Sequence, residues 1–406
     1  MATTTGRPAF RVLVIGGGIG GLSLAQRLRQ AGVDVRVYER DESADGRRQG
    51  YRLRISPEGE AALRACLPAR LTELVAATAN TRDDAGLAAY DEQLTEQWAP
   101  KFEDPRADRA DKIDAVDRVT LRRILLAGLA DTVHFGKNFE RLARTPDGRV
   151  TAYFADGTEA TGDVLVAADG TNSRVRAQLR PGDAPQDLGI RTVFSRIPRD
   201  AAIAAGLPAA LQDRFSYVIG TDGHHLGLMP MLFRERPSAA AARLAPEAEL
   251  ADGEDYYMSV FNVHQQDLGL SEEDFFALDG EELCALVVER TRAWHPDLRG
   301  IFGFAQPETT FAVALRATRP VEAWETGPVV PLGDAVHAMP PSGGVGANTA
   351  LRDAQALGGL LAEVAAGRRE LADAVAEYQK AMIEYATEGV EMSLRIADWS
   401  IKKAAG

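Results

Sequence analysis

One stretch near the N-terminus restricts this chain more than any other. An apolar run, Val12-Leu-Val-Ile15, breaks into Gly16-Gly-Gly18-Ile19-Gly20-Gly21, and apolar residues then recur at Leu22, Leu24, Ala25 and Leu28. This order predicts a buried parallel strand, a tight turn and a helix that closes at Gly32. A second strand, Val33 to Tyr38, then ends on Glu39. In Gly16-x-Gly18-x-x-Gly21 the first glycine permits the turn, the second admits a pyrophosphate, and the third packs helix on strand. The helix N-terminus faces the anion. Glu39 stands near the separation at which an acid accepts a ribose hydroxyl. Three glycines alone describe a flexible turn; strand, helix and terminal acid in register describe a dinucleotide site. The acid favours a free 2′-hydroxyl, as in NAD or FAD, over NADP at this site.

At 406 residues the chain can bury two cores or one composite core. Its net charge of −13 argues against nucleic acid as a partner, because no excess of cationic surface displaces counterions. Cys66 and Cys284 match no metal or redox spacing and suit a reducing, cytoplasmic setting. The first strand begins too early to leave room for a signal peptide, and no apolar run reaches the roughly 18–20 residues of a membrane span. We expect a monomer or homodimer.

Two later turns repeat the strand-to-acid arrangement: Asp163-Val-Leu-Val-Ala-Ala-Asp169-Gly170, and Val329-Val-Pro-Leu-Gly333-Asp334. Taken singly, each acid reads as a helix cap or Asx turn. Between them, residues 186–305 hold short alternating segments such as Phe215–Ile219, Leu226–Phe233 and Tyr256–Val263, with a helix from Glu281 to Trp294. After Asn348 the chain is helical, with Gly367 separating two helices. The six histidines are scattered. In His224-His225, adjacent strand residues point to opposite faces, so at most one meets a pocket.

Together the three turns resemble the group A flavoprotein monooxygenases, the aromatic hydroxylase superfamily. The resemblance runs from about residue 10 to 400 and rests on Gly16–Gly21 with Glu39, on Asp169-Gly170-Thr-Asn-Ser173-Arg174-Val-Arg176, and on Gly333-Asp334-Ala-Val-His337-Ala-Met-Pro340-Pro341-Ser-Gly343-Gly344-Val345-Gly346-Ala347-Asn348. It implies an α/β fold: a Rossmann-like FAD-binding domain of the glutathione-reductase type, an inserted antiparallel substrate sheet and C-terminal helices. The expected partition is 1–80, 113–185 and 306–366 for FAD, 81–112 and 186–305 for the sheet, and 367–406 for a terminal helix.

The resemblance also implies roles. FAD would be held by Gly16, Gly18, Ile19, Gly20, Gly21, Glu39, Arg40, Arg54, Arg118, Asp169, Asp334, Pro341, Gly344, Gly346, Ala347 and Asn348. Glu39 would take the adenosine ribose, Asp334 the ribityl hydroxyls, and the 344–348 backbone the N1–C2=O edge of the flavin. Arg47, Asp169 and Arg176 are the NADPH or NADH candidates, with Arg176 as partner of Asp169; Arg47 and Arg54 alternatively belong to a solvated basic turn. Pro341, Arg54 and His337 are ring-adjacent candidates, since the chemistry is flavin-centred, with a structural role as the other reading of His337. Phe215, Tyr217, Met229 and Met231 alternate as one strand face: core packing is the first reading, substrate contact the second. Many relatives carry glutamine where this chain has Val345; the backbone amides do the binding, so little FAD affinity should be lost.

The implied activity is hydroxylation or epoxidation of an electron-rich aromatic or polycyclic small molecule of natural-product type. FAD reduced by NAD(P)H would react with O2 to a C4a-hydroperoxide. The alternative is a relative that retains FAD as a structural part of a non-redox cyclase or tailoring enzyme. Halogenation is disfavoured, because only Trp294-His295-Pro296 appears where halogenases carry a longer tryptophan motif.

Overall fold

The structure, a computed structural model, describes residues 10–44, 46, 51–81, 86–99, 106 and 109–402, with side chains as far as residue 398. The apolar run forms the strand Arg11–Ile15 at the centre of a five-stranded sheet. The order across it is Val329–Pro331, Val164–Ala167, Arg11–Ile15, Asp34–Tyr38, Val133–His134, and every pair is parallel. Alternation sorts the central strand. Val12 and Val14 join a core with the helices Ile19–Gln30 and Gly346–Ala365, whereas Leu13 and Ile15 meet a three-stranded antiparallel sheet over Phe139–Gly162. Covered on both faces, the strand reads as one continuous apolar run. The two helices approach closely because small residues meet: a Cβ at Gly20 would lie 3.3 Å from that of Ala350.

A second sheet has seven strands, ordered Phe311–Ala317, Gln186–Pro198, Tyr256–His264, His225–Met231, Phe215–Ile219, Leu87–Asp91, Glu96–Trp98. It departs from expectation twice. The sheet is mixed rather than antiparallel, because Phe215–Ile219 runs parallel to Leu87–Asp91. The expected boundary at 305/306 also cuts one strand off, since Phe311–Ala317 pairs with Gln186–Pro198. That segment, Phe-Ala-Val-Ala-Leu-Arg-Ala, is weakened as a strand signal by its alanines.

The sheet's two faces differ. Val193, Ile197, Val218, Leu226, Leu228, Tyr257 and Phe261 pack against Phe275, Leu283, Val287, Leu298 and Phe302, which lie on the helices Glu272–Ala277, Gly280–Arg290 and Pro296–Phe302. With that side covered, the opposite face is left to line a cavity. At the C-terminus the helices Gly346–Ala365 and Leu371–Lys402 break at Gly367, whose φ of +69° needs no side chain in the way.

Candidate functional site

The glycine turn meets two separate steric demands. Gly16 has φ +108°, and a Cβ there would stand 2.3 Å from the Ala168 carbonyl oxygen. A Cβ at Gly21 would stand 2.3 Å from the Gly16 carbonyl oxygen. Gly18 is different: nothing lies within 4 Å of its Cβ position. The chain itself requires glycine at 16 and 21; at 18 the requirement comes from whatever fills the open side. The helix Ile19–Gln30 has no side-chain cap, so its first amides remain for an anion. This cradle fits a dinucleotide diphosphate. Gly18, Ile19, Gly20, Gly21 and Arg40 line the cavity. Glu39 is 1% exposed and braces the turn from behind, its Oε2 accepting from Gly17 N at 2.6 Å and its Oε1 from Asp41 N at 3.0 Å.

Asp169 lines the same cavity and accepts from Ser173 Oγ at 2.5 Å, Arg174 N at 2.8 Å and Val175 N at 3.2 Å. Burial nevertheless pushes its carboxyl above the usual range, with these hydrogen bonds pulling the other way. Arg176 feels the charge of Asp169, but its hydrogen bonds go elsewhere. Its guanidinium donates to the carbonyls of Thr171 (2.7 Å), Asp183 (2.9 Å) and Ala335 (3.1 Å), stapling the Asp169 turn to the Asp334 turn. Asp334 begins the short helix Asp334–His337 and opens onto the cavity. It sits deep inside the fold although open to the cavity, and burial raises its pKa while His337 and Arg118 oppose the rise.

His337, for which structural and ring-adjacent readings both stand in the sequence, is fully buried, with Nε2 2.7 Å from Asp353 Oδ2. Held by that contact, it takes no part in the cavity wall. Asp353 gathers two more donors, Gly333 N at 2.7 Å and Tyr385 OH at 2.6 Å. Burial alone would lower the His337 pKa; the charge and hydrogen bond of Asp353 outweigh it and raise it. The pair is structural: it fixes the Gly333–Asp334 turn.

Gly343 and Gly344 turn the chain at φ +79° and +65° into the helix Gly346–Ala365, which also lacks a side-chain cap. Pro341, Gly344, Gly346 and Ala347 line the cavity, as do Arg54 and Arg118, the latter 5.6 Å over the Tyr51 ring. The Asn348 side chain is spent within the protein. Its Oδ1 accepts from Ser56 N at 2.9 Å, and its Nδ2 donates to the carbonyls of Arg54 (2.9 Å) and Gly344 (2.7 Å). Val345 points at the C-terminal helix, its Cγ1 3.1 Å from the Cβ position of Gly389. Arg47 lies outside the described residues.

The cavity measures about 1730 Å³. Drug-sized ligand pockets run to about 1000 Å³, so there is room for a dinucleotide and a second molecule together. Its far wall is the sheet face. Phe215 and Tyr217, 4.5 Å apart between centroids, lie there with Met229. Phe215 and Met229 also pack in the apolar cluster with Phe194 and Met258, so at this wall core packing and cavity lining coincide, while helices occupy the other face. Met231 is 0% exposed and does pack internally, against Tyr256 and Phe194 among others. Burial keeps the Tyr217 phenol neutral, pushed up to about 12. Of the histidine pair, His225 is on the wall, while His224 bonds Asp222 at 2.8 Å through Nδ1.

Several wall residues escaped sequence reasoning: the stack of Phe194 on Tyr51 (5.0 Å) and Phe311 (5.4 Å), then Met258 and Val260, and Met392, Arg395 and Ile396 of the C-terminal helix. One signal was present. In Tyr256–His264 alternate residues divide into a helix-facing set and a cavity-facing set. Among the described residues, no helix is long and apolar enough to cross a membrane.

Comparisons agree with this geometry. A model described as an FAD binding domain matches residues 9–195 and 296–390. The dual O-methyltransferase/FAD-dependent monooxygenase elcB of Phaeosphaeria nodorum is 33% identical over 90% of this chain, which spans 41% of that protein. The FAD-dependent urate hydroxylase of Klebsiella pneumoniae is 27% identical over 91% of this chain and 85% of its own. A solved structure from Photorhabdus luminescens subsp. laumondii, assigned as an FAD-containing monooxygenase, superposes with a TM-score of 0.82 at 32% identity, covering 97% of this chain and 99% of that one. A variant of Klebsiella pneumoniae HpxO complexed with FAD superposes with a TM-score of 0.74 at 25% identity, covering 97% and 91%.

Proposed function

The chain belongs to the family of FAD-dependent monooxygenases, and on that premise we propose that it is an NAD(P)H- and O2-dependent enzyme that hydroxylates or epoxidises an electron-rich aromatic or polycyclic small molecule. One observation carries the reading: a single cavity joins the amides of the glycine turn to an aromatic sheet face. When bound, FAD supplies the redox chemistry, accepting a hydride from NAD(P)H and activating O2 for transfer of one oxygen atom.

The chain's own residues do the rest. The amides at 18–21 bind the diphosphate and the first helix offers its positive end. Arg40, on the cavity wall, takes the adenosine end, with Glu39 setting the turn that receives the ribose, and Asp334 accepts from the ribityl hydroxyls. The amides at 344–347 stabilise negative charge on the ring's polar edge. Arg54, Arg118 and Asp169 serve the flavin and the nicotinamide donor, with Arg47 as a further donor contact. Phe194, Phe215, Tyr217, Met229, Met258 and Phe311 exclude water and hold a flat substrate in place.

The purified protein should be yellow, and NADPH or NADH without O2 should bleach it, faster with an aromatic substrate present. Product formation in the absence of O2, with no bleaching by either donor, would refute the reading and leave a non-redox enzyme that retains FAD.

A further inference from the structure

The cavity-facing side of the sheet is apolar along its middle, at Phe215, Met229, Met258, Val260 and Phe311, and has a polar corner at one end. There His225 pairs across strands with Asn262, and Asn262 with Thr192. Side chains at such positions share a face, with Cβ atoms about 5 Å apart. His225 is 3% exposed, yet neither ring nitrogen has a hydrogen-bond partner among the described residues. Its neighbour His224, on the opposite face, is bonded to Asp222. The His225 ring borders cavity space together with Asn262, Leu315 and Ser342, one residue beyond Pro341.

The chemistry of this corner is determinate. Burial, followed by the nearby His264 and His224, pushes the His225 imidazole down to about 4, so it is neutral at neutral pH. A neutral imidazole offers one donor and one acceptor. The Thr192 hydroxyl donates to Asn262 Oδ1 at 2.6 Å, which leaves Asn262 Nδ2 as a donor. Buried polar groups are ordinarily hydrogen-bonded, and a histidine kept dry without a partner is costly to the fold. A site built this way rejects ligands that cannot satisfy it.

Resting on the monooxygenase reading above, we propose that His225 and Asn262 recognise a phenolic hydroxyl of the substrate. The hydroxyl donates to His225 and accepts from Asn262 Nδ2, which holds the hydroxylated edge of the ring at the Ser342 end of the cavity. These residues position the substrate. The imidazole is too weak a base to remove the proton of an ordinary phenol, whose pKa is about 10.

The test is equilibrium binding to the FAD-loaded protein, read from the change in flavin absorbance. The ligands are 1-naphthol and 1-anthrol, each beside its unsubstituted hydrocarbon and its methyl ether. Wild-type protein should bind the phenols at least about tenfold more tightly than either counterpart, since the ether cannot donate and the hydrocarbon can do neither. His225→Phe should bring the phenol-to-ether ratio close to one at unchanged FAD content, since Asn262 still donates to either oxygen. His225→Gln, which keeps a donor and an acceptor, should restore much of it, and Asn262→Leu should lower the phenol-to-hydrocarbon ratio. A wild-type ratio near one between phenol and ether overturns the inference even if no variant folds. An unchanged ratio in His225→Phe also overturns it and leaves the monooxygenase reading standing. Failure of every one of these aromatics to bind wild-type protein overturns the aromatic reading and this inference with it.

Discussion

At the glycine turn the main chain makes the ligand surface; on the seven-stranded sheet side chains make it. The turn's geometry is enforced by contacts at van der Waals limits, Gly16 against Ala168 and Gly21 against Gly16, all within a short span of sequence or one strand away. The sheet face is assembled from strands as far apart as Leu87–Asp91 and Phe311–Ala317, and each side chain there can change without disturbing a backbone. On the proposed function, one wall is rigid and general, suited to a cofactor, and the other is replaceable and suited to a particular substrate.

This contrast can be broken at graded strength. Gly16→Val and Gly21→Val should do the most damage, yielding no folded protein by circular dichroism, because each forces a side chain onto a carbonyl oxygen at 2.3 Å. Asp334→Ala should fold and lose FAD, with affinity down by roughly 10–100-fold for the loss of a charged acceptor; full FAD occupancy after gel filtration would remove Asp334 from the cofactor site. Gly18→Ala separates fold from ligand. Its site is open and its φ of −81° is ordinary, so the melting temperature should hold or rise slightly while FAD binds roughly tenfold more weakly. Equal loss of stability and affinity would show that the chain, and not the ligand, demands this glycine.

On the sheet side the effect is smaller and depends on pH. The folded pKa of His225, about 4, lies below its ordinary 6.5, so the unfolded chain takes up its proton first. The stability that neutral His225 permits is complete above pH 6.5 and is lost as pH falls toward 4. His225→Phe should therefore gain on wild type in urea midpoint as pH falls through that window. Parallel curves would mean that the imidazole is solvated. Least of all, Val345→Ala should leave the FAD dissociation constant within about twofold, because that side chain faces Gly389 while the backbone faces the ligand.

Legibility follows the same division. Strand, turn, helix and acid can be read from residues 11–39 because their constraints are local: a hydrophobic period, a positive φ, a close approach. Asp334 and Asp169 are legible as acids at strand ends, but the partner of Arg176 is not, because three main-chain carbonyls leave no trace in side-chain identity. His337 stays ambiguous between structural and ring-adjacent for a related reason. Its motif position is right, and only the packing of Asp353 twenty residues beyond Gly333 turns it inward. Phe215, Tyr217 and Met229 alternate identically whether they face a core or a cavity. What decides is the helical layer from 272 to 302 covering the other side, and no single strand's sequence contains that fact.

The Asp353 carboxylate holds Gly333 and His337 beside the Asp334 turn and Tyr385 on the terminal helix, whose Met392, Arg395 and Ile396 reach the cavity. With FAD bound as proposed, cofactor loading and docking of that helix would be coupled through this carboxylate, and any such coupling is reciprocal. FAD should slow hydrogen exchange of amides along 371–398, and Tyr385→Phe should raise the rate at which FAD dissociates. On that reading the terminal helix acts thermodynamically as a latch on the cofactor cavity.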